Sequence, residues 1–162
     1  MTDDLLPSTA NDPHWTTSWE QLGQGVPTLA GLAQVASRAV ASGGDKTIRL
    51  SMEARCLLFA AKDRGILEIK GSNRAFESPA RMLAVHVETG PDRTLIFRSR
   101  DKPMMTIRFL AGFRELCASG LVMHHIFTEF SLSREGLELA NSIPEAEIGS
   151  LLATAREICG ME

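Results

Sequence analysis

The chain has no tyrosine, only two tryptophans, and an odd number of cysteines, three. Without tyrosine, and with aromatics at 6% of residues, there is little material for the stacked platforms on which single-stranded nucleic acid is held. Cys56, Cys117 and Cys159 lie far apart inside apolar segments. That pattern fits neither a disulfide framework nor a zinc site, and three buried thiols are expected. No apolar run approaches the roughly 20 residues that span a bilayer. The opening MTDDLLPSTANDP carries acids where a secretory signal needs positive charge, which points to a cytoplasmic protein with no membrane association. No metal-binding, Rossmann, nucleophile-elbow or calcium-loop motif appears, and no cofactor is expected. GGDKT (43–47) lacks the leading glycine and the preceding strand of a phosphate loop.

What is present is ordinary globular material: 162 residues, 44% hydrophobic and 23% charged. A chain of this length suits one domain. The net charge of −3 is unevenly spread. Residues 45–140 hold 15 Lys/Arg against 12 Asp/Glu, or +3, and the flanks hold 2 against 8, or −6. Residues 1–27, rich in Pro, Thr, Ser, Asp and Gly, read as an extended or partly ordered arm, with a single globular domain over 28–160. Within the arm Trp15 and Trp19 stand four apart, able to share one face of a helical turn. They are candidates either for docking on the domain or for binding a protein partner.

Thr28 is placed to cap a helix with Leu29, Leu32, Ala33, Ala36, Ala39 and Val40 at helical spacing, stopped by Gly43-Gly44. Ser51 is placed to cap a second helix, apolar on most sides and hence central, that ends at Gly65. ILEIK (66–70), AFES (75–78), MLAVHVE (82–88) and TLIFRSR (94–100) read as short strands, the last two joined in an antiparallel hairpin through TGPD. A third helix is expected from about Met105 to Ser119, with Gly120 as its stop. Ser133 then caps another, with Leu132 and Leu137 as a hydrophobic staple. SIPE (142–145) reads as a capping box for a terminal helix whose apolar stripe is Ile148, Leu151, Leu152, Ala155 and Cys159. Such a helix packs on its own domain or pairs with a second copy in a homodimer. GILEIKGSNRAFES and GLVMHHIFTEFSLS echo each other, each a glycine-led strand after a helix.

Leu116, Gly120, Leu121 and Val122, followed by Leu132, Ser133 and Gly136, resemble the C-terminal half of a winged-helix domain of the MarR/PadR kind. The resemblance covers about a sixth of the chain. It implies a helix, a β-hairpin wing and a capped helix, often in a dimeric transcription regulator. The wing segment MHHIFTE carries no Lys or Arg for a phosphate. The preceding helix offers only Arg108, Gly112, Glu115 and Ser119 as a polar stripe and reads as a core helix.

The basic strip RTLIFRSRDKPMMTIR (93–108) is the best nucleic-acid candidate: Arg93, Arg98, Arg100, Lys102 and Arg108 against Asp101, a net of +4. Arg98 and Arg100 share one strand face. His124 and His125 diverge on a strand, and His86 beside Glu88 reads as a pair on an exposed strand face rather than an acid–base pair. The fold expected is α+β, about five helices with short antiparallel strands and a winged-helix-like C-terminal half. The function expected is that of a non-catalytic regulatory or nucleic-acid-associated protein. The alternative is a protein-interaction module on the same scaffold.

Overall fold

Glycine marks three helix ends, and two of them, Gly65 and Gly120, lead directly toward a strand. The computed structural model describes residues 26–71 and 82–159. Helix α1 runs Val26–Ser42, so Thr28 lies inside its first turn rather than capping it, and the expected arm loses its last two residues to this helix. Trp15, Trp19 and the expected strand at 75–78 lie outside the described residues. Gly43 and Gly44, both at positive φ, end α1 as expected. Gly44 is pressed against the backbone of Ser119, where a Cβ would overlap the carbonyl, and Asp45 N–H donates to Ala118 O at 3.0 Å.

Helix α2 (Met52–Ala61) is capped by Ser51, whose hydroxyl accepts from Ala54 N–H. It buries Ala54, Cys56, Leu57, Leu58, Phe59, Ala60 and Ala61, the all-round burial expected of a central helix. Gly65 at φ +72 leads from it into strand β1 (Ile66–Lys70). Strands β2 (Ala84–Gly90) and β3 (Arg93–Phe97) form the expected hairpin, with Asp92 in left-handed conformation at its turn.

Helix α3 (Pro103–Ala118) packs on both α1 and α2. Its buried side is Thr106, Phe109, Gly112, Phe113, Leu116 and Cys117. The stripe expected to face solvent is corrected here. Gly112 and Ser119 are buried, and a Cβ on Gly112 would come within 2.8 Å of Ala54 N. Glu115 turns inward to accept from both Ser51 N–H (2.9 Å) and Ser51 Oγ (2.8 Å). Of the expected stripe only Arg108 is exposed, and the other exposed positions on α3 are Pro103, Met104, Ile107, Ala111 and Arg114.

Gly120 at φ +72 closes α3 in a Schellman turn: Leu121 N–H donates to Leu116 O and Gly120 N–H to Cys117 O. The hairpin β4 (Val122–His124) and β5 (Glu129–Leu132) follows, then α4 (Arg134–Ser142). Ser133 caps α4 by accepting from Gly136 N–H, and its Oγ donates back to Gly120 O at 2.7 Å. A Cβ on Gly136 would collide with the Leu121 carbonyl, which is why SREG carries glycine there. Leu137, expected to staple onto Leu132, is exposed.

The C-terminal expectation fails. Helix α5 is short, Glu145–Leu152, and the Ser142 hydroxyl donates to Leu139 O rather than forming a capping box. After a turn at 153–155, Arg156–Cys159 forms strand β6 on the edge of β3. Pairing with β3 satisfies backbone groups that an exposed edge would leave open, and this outweighs a helical spacing carried by two residues, Ala155 and Cys159. The long terminal helix offered as a dimer surface is therefore replaced by eight residues in which Ile148 is buried. Cys159 is exposed, whereas Cys56 and Cys117 are buried as expected, and burial pushes both thiols up to about 12.

The described residues thus make an α+β fold, five helices with a six-stranded antiparallel sheet in the order β4-β5-β1-β2-β3-β6. Leu67, Ile69, Val85, Val87, Phe97 and Phe130 point from one sheet face into a core shared with the helices. Phe113 and Phe130 meet edge to face with centroids 4.8 Å apart. The echo between the two glycine-led segments has a structural counterpart: Gly65 and Gly120 both turn a helix into a strand at φ +72. Helix–hairpin–helix order holds over α3, β4, β5 and α4, with β5 also paired to β1 as part of the larger sheet.

A candidate anion site on the polar face of the sheet

Alternation places the even-numbered residues of β1, β2 and β3 on the face opposite the core. The register aligns Glu68, His86, Ile96 and Arg156 in one row across four strands, and Glu88, Thr94 and Ile158 in the next. None of these side chains belongs to the core cluster. Two depressions lie on this face.

The first, about 190 Å³, is bordered by Glu68, His86, Glu88, Asp92, Arg93 and Thr94. Two of its carboxylates, Glu68 and Glu88, have partners. Glu68 meets Lys70 Nζ at 3.1 Å and accepts from Thr128 Oγ1, and Glu88 meets Arg64 at 3.1 Å. His86 Nε2 is buried without a hydrogen-bond partner among the described residues. Burial, then the charges of Lys70 and Arg98, pushes the His86 ring down to about 4 against the opposing pull of Glu68. An imidazole so poised is neutral at pH 7 and far from the pKa that suits a general acid or base. Among the described residues, no group of three His, Cys, Asp or Glu is placed to hold a metal ion.

The second depression, about 340 Å³, is bordered by Ile96, Arg98, Ser99, Arg100, Thr154 and Arg156. Three of the described residues that border it are arginines. Arg98 follows β3 directly, and its Nη2 donates to Met82 O at 2.9 Å and to Lys70 O at 3.3 Å. These bonds tie the end of β1 to the approach to β2 and hold the guanidinium in place. Its Nε is buried without a partner among the described residues, and desolvation lowers its pKa. The loop beyond is fixed through Ser99, whose N–H donates to Thr106 Oγ1 and whose Oγ accepts from Lys102 N–H. Arg156 reaches the same hollow because β6 sets it opposite Ile96, two residues from Arg98.

The strip read from the sequence is therefore divided. Arg98 and Arg100 share a hollow, although the strand that was to carry them ends at Phe97. Arg93 sits at the far end of β3 and pairs with Glu157 at 3.5 Å. Lys102 precedes α3, and Arg108 is exposed along it. Arg156 was absent from the sequence-based set because its segment reads as helix. The only signal for it is the brief R-E-I-C alternation after a small-residue break.

The wing-like hairpin has a different character. Its tip exposes Ile126 (63%) and Phe127 (43%), the latter at φ +53. His124 Nε2 lies 2.9 Å from Phe127 O and His125 Nε2 lies 2.6 Å from Ser131 Oγ, so both rings brace the hairpin. No described helix is long and apolar enough to cross a membrane. No protein-family model, no curated protein and no solved structure matches the chain.

Proposed function

We propose that the protein is a non-catalytic regulatory protein that associates with nucleic acid, contacting phosphate through Arg98, Arg100 and Arg156. The observation that carries this reading is that Arg98, Arg100 and Arg156 border one depression, with the Arg98 side chain held in place by the carbonyls of Lys70 and Met82. Guanidinium forks match phosphate oxygens in planar, bidentate geometry. The helix–hairpin–helix over 103–142 then serves as scaffold, since the hairpin tip is apolar and α3 spends most of its surface on packing. This moves the contact from the wing to the sheet edge. A salt titration of duplex-DNA binding tests the reading. Affinity should fall steeply with salt, and Arg100→Ala and Arg156→Ala should each reduce the log–log slope by about one. Absence of binding at low salt would contradict it.

A second reading, a protein-interaction module or homodimer on the same scaffold, draws support from the exposed Ile126 and Phe127. Association that survives Ile126→Ser and Phe127→Ser would remove that support.

A further inference from the structure

Helix α3 packs on α1 and α2 through one side and leaves the other in solvent. Met104 (57% exposed), Ile107 (48%) and Ala111 share that outer side at i, i+3 and i+7, one line along a helix. At about 100° per residue, Arg108 falls on one margin of the line and Arg114 on the other, and both are exposed. Glu115, the one acid of the helix, is turned inward onto Ser51. The outer side of α3 is therefore apolar along its middle and basic at its edges. Such a surface suits a segment that carries apolar side chains and carboxylates together.

The chain contains one. Residues 1–25 hold Asp3, Asp4, Asp12 and Glu20 with no Lys or Arg, a net of −4, and the apolar Leu5, Leu6, Trp15 and Trp19. They join the domain at Val26, the start of α1, which packs beside α3. Twenty-five residues can reach about 80 Å, whereas α3 is about 24 Å long, so the connection sets no limit. Tethering also presents the segment at about millimolar effective concentration. A second copy fits less well, because α3 against α3 would gather four arginines with no exposed acid of either helix to meet them. A nucleic-acid backbone would meet the arginines but also Met104 and Ile107 between them, which offer phosphate nothing.

We propose that residues 1–25 dock on the outer side of α3, Trp15 and Trp19 covering Met104, Ile107 and Ala111, with the acids facing Arg108 and Arg114. The contact does not depend on the nucleic-acid reading above. Trp15 and Trp19 are the only tryptophans and there is no tyrosine, so the fluorescence of the full chain reports on this segment alone. Its emission should lie to the blue of the urea-unfolded chain and be less quenched by acrylamide. Ile107→Ser should shift the emission to the red and raise the quenching, and so should Arg108→Glu combined with Arg114→Glu. These changes fall at exposed positions, and unchanged circular dichroism separates undocking from unfolding. Ile126→Ser, at the hairpin tip, should leave the emission where it is. Tryptophans as open to acrylamide in the folded chain as in urea would overturn the proposal. Shielding that Ile107→Ser and the arginine reversals leave intact would overturn the choice of α3. Shielding lost on dilution would overturn docking within one chain.

Discussion

Glu68, His86 and Glu88 lie on the same sheet face as Arg98 and Arg156, separated from them by Thr94 and Ile96 of β3, yet the two groups are satisfied differently. In the first, each carboxylate meets a cation from the chain itself, Lys70 or Arg64, and the histidine between them stays neutral. In the second, Arg98 is held by backbone carbonyls rather than by a carboxylate, and Arg100 and Arg156 border the same depression. A surface whose charges cancel internally has little left to offer a ligand. One that concentrates a single sign keeps a field that an external counter-charge can neutralise. On the proposed reading, the first cluster holds the fold and the second binds.

The largest effect that sharpens this contrast is on the acidic side. An unfolded imidazole takes its proton near pH 6.5 and His86 in the folded chain near 4. The neutral ring's contribution to stability is therefore complete above pH 6.5 and is lost as pH falls toward 4, by roughly 3 kcal/mol in all. Urea midpoints measured between pH 7 and pH 4 should drop accordingly, and His86→Gln should flatten that part of the profile.

Next comes Arg98→Ala, which removes two charged hydrogen bonds to the carbonyls of Lys70 and Met82. It should cost about 2 kcal/mol in thermal or urea unfolding and weaken anion binding as well. Glu88→Gln, at a partly exposed ion pair, should cost less than about 1 kcal/mol and leave nucleic-acid affinity unchanged. Arg156→Ala should change stability least, within about 0.5 kcal/mol, while losing phosphate binding. A large stability loss on Arg156→Ala would break the distinction between the two clusters.

The features that the sequence announces are those set by local chemistry. Gly43-Gly44, Gly65 and Gly120 end helices because only glycine enters the left-handed region freely, and Ser51 and Ser133 cap helices because their hydroxyls meet nearby N–H groups. Val85 and Val87 alternate with His86 and Glu88, and that alternation sets both valines on the buried face. What went unseen depends on partners distant in the chain. Helix α3 hides Gly112 and Glu115 because α2 lies against them, a contact that no periodicity in 103–118 encodes. Residues 156–159 become a strand because β3 offers an open edge, and Arg156 joins the site only through that pairing. The candidate site was thus readable as Arg98 and Arg100, and incomplete without the sheet.

The central claim is that the hollow between Arg98, Arg100 and Arg156 receives an anion. Its most direct test is a phosphate titration followed through the arginine Nε–H resonances of the ¹⁵N-labelled protein. The account predicts saturable shifts at Arg98, Arg100 and Arg156, with Arg108 and Arg114 on the exposed side of α3 unmoved. Shifts spread evenly over all arginines, or none at the three, would contradict it.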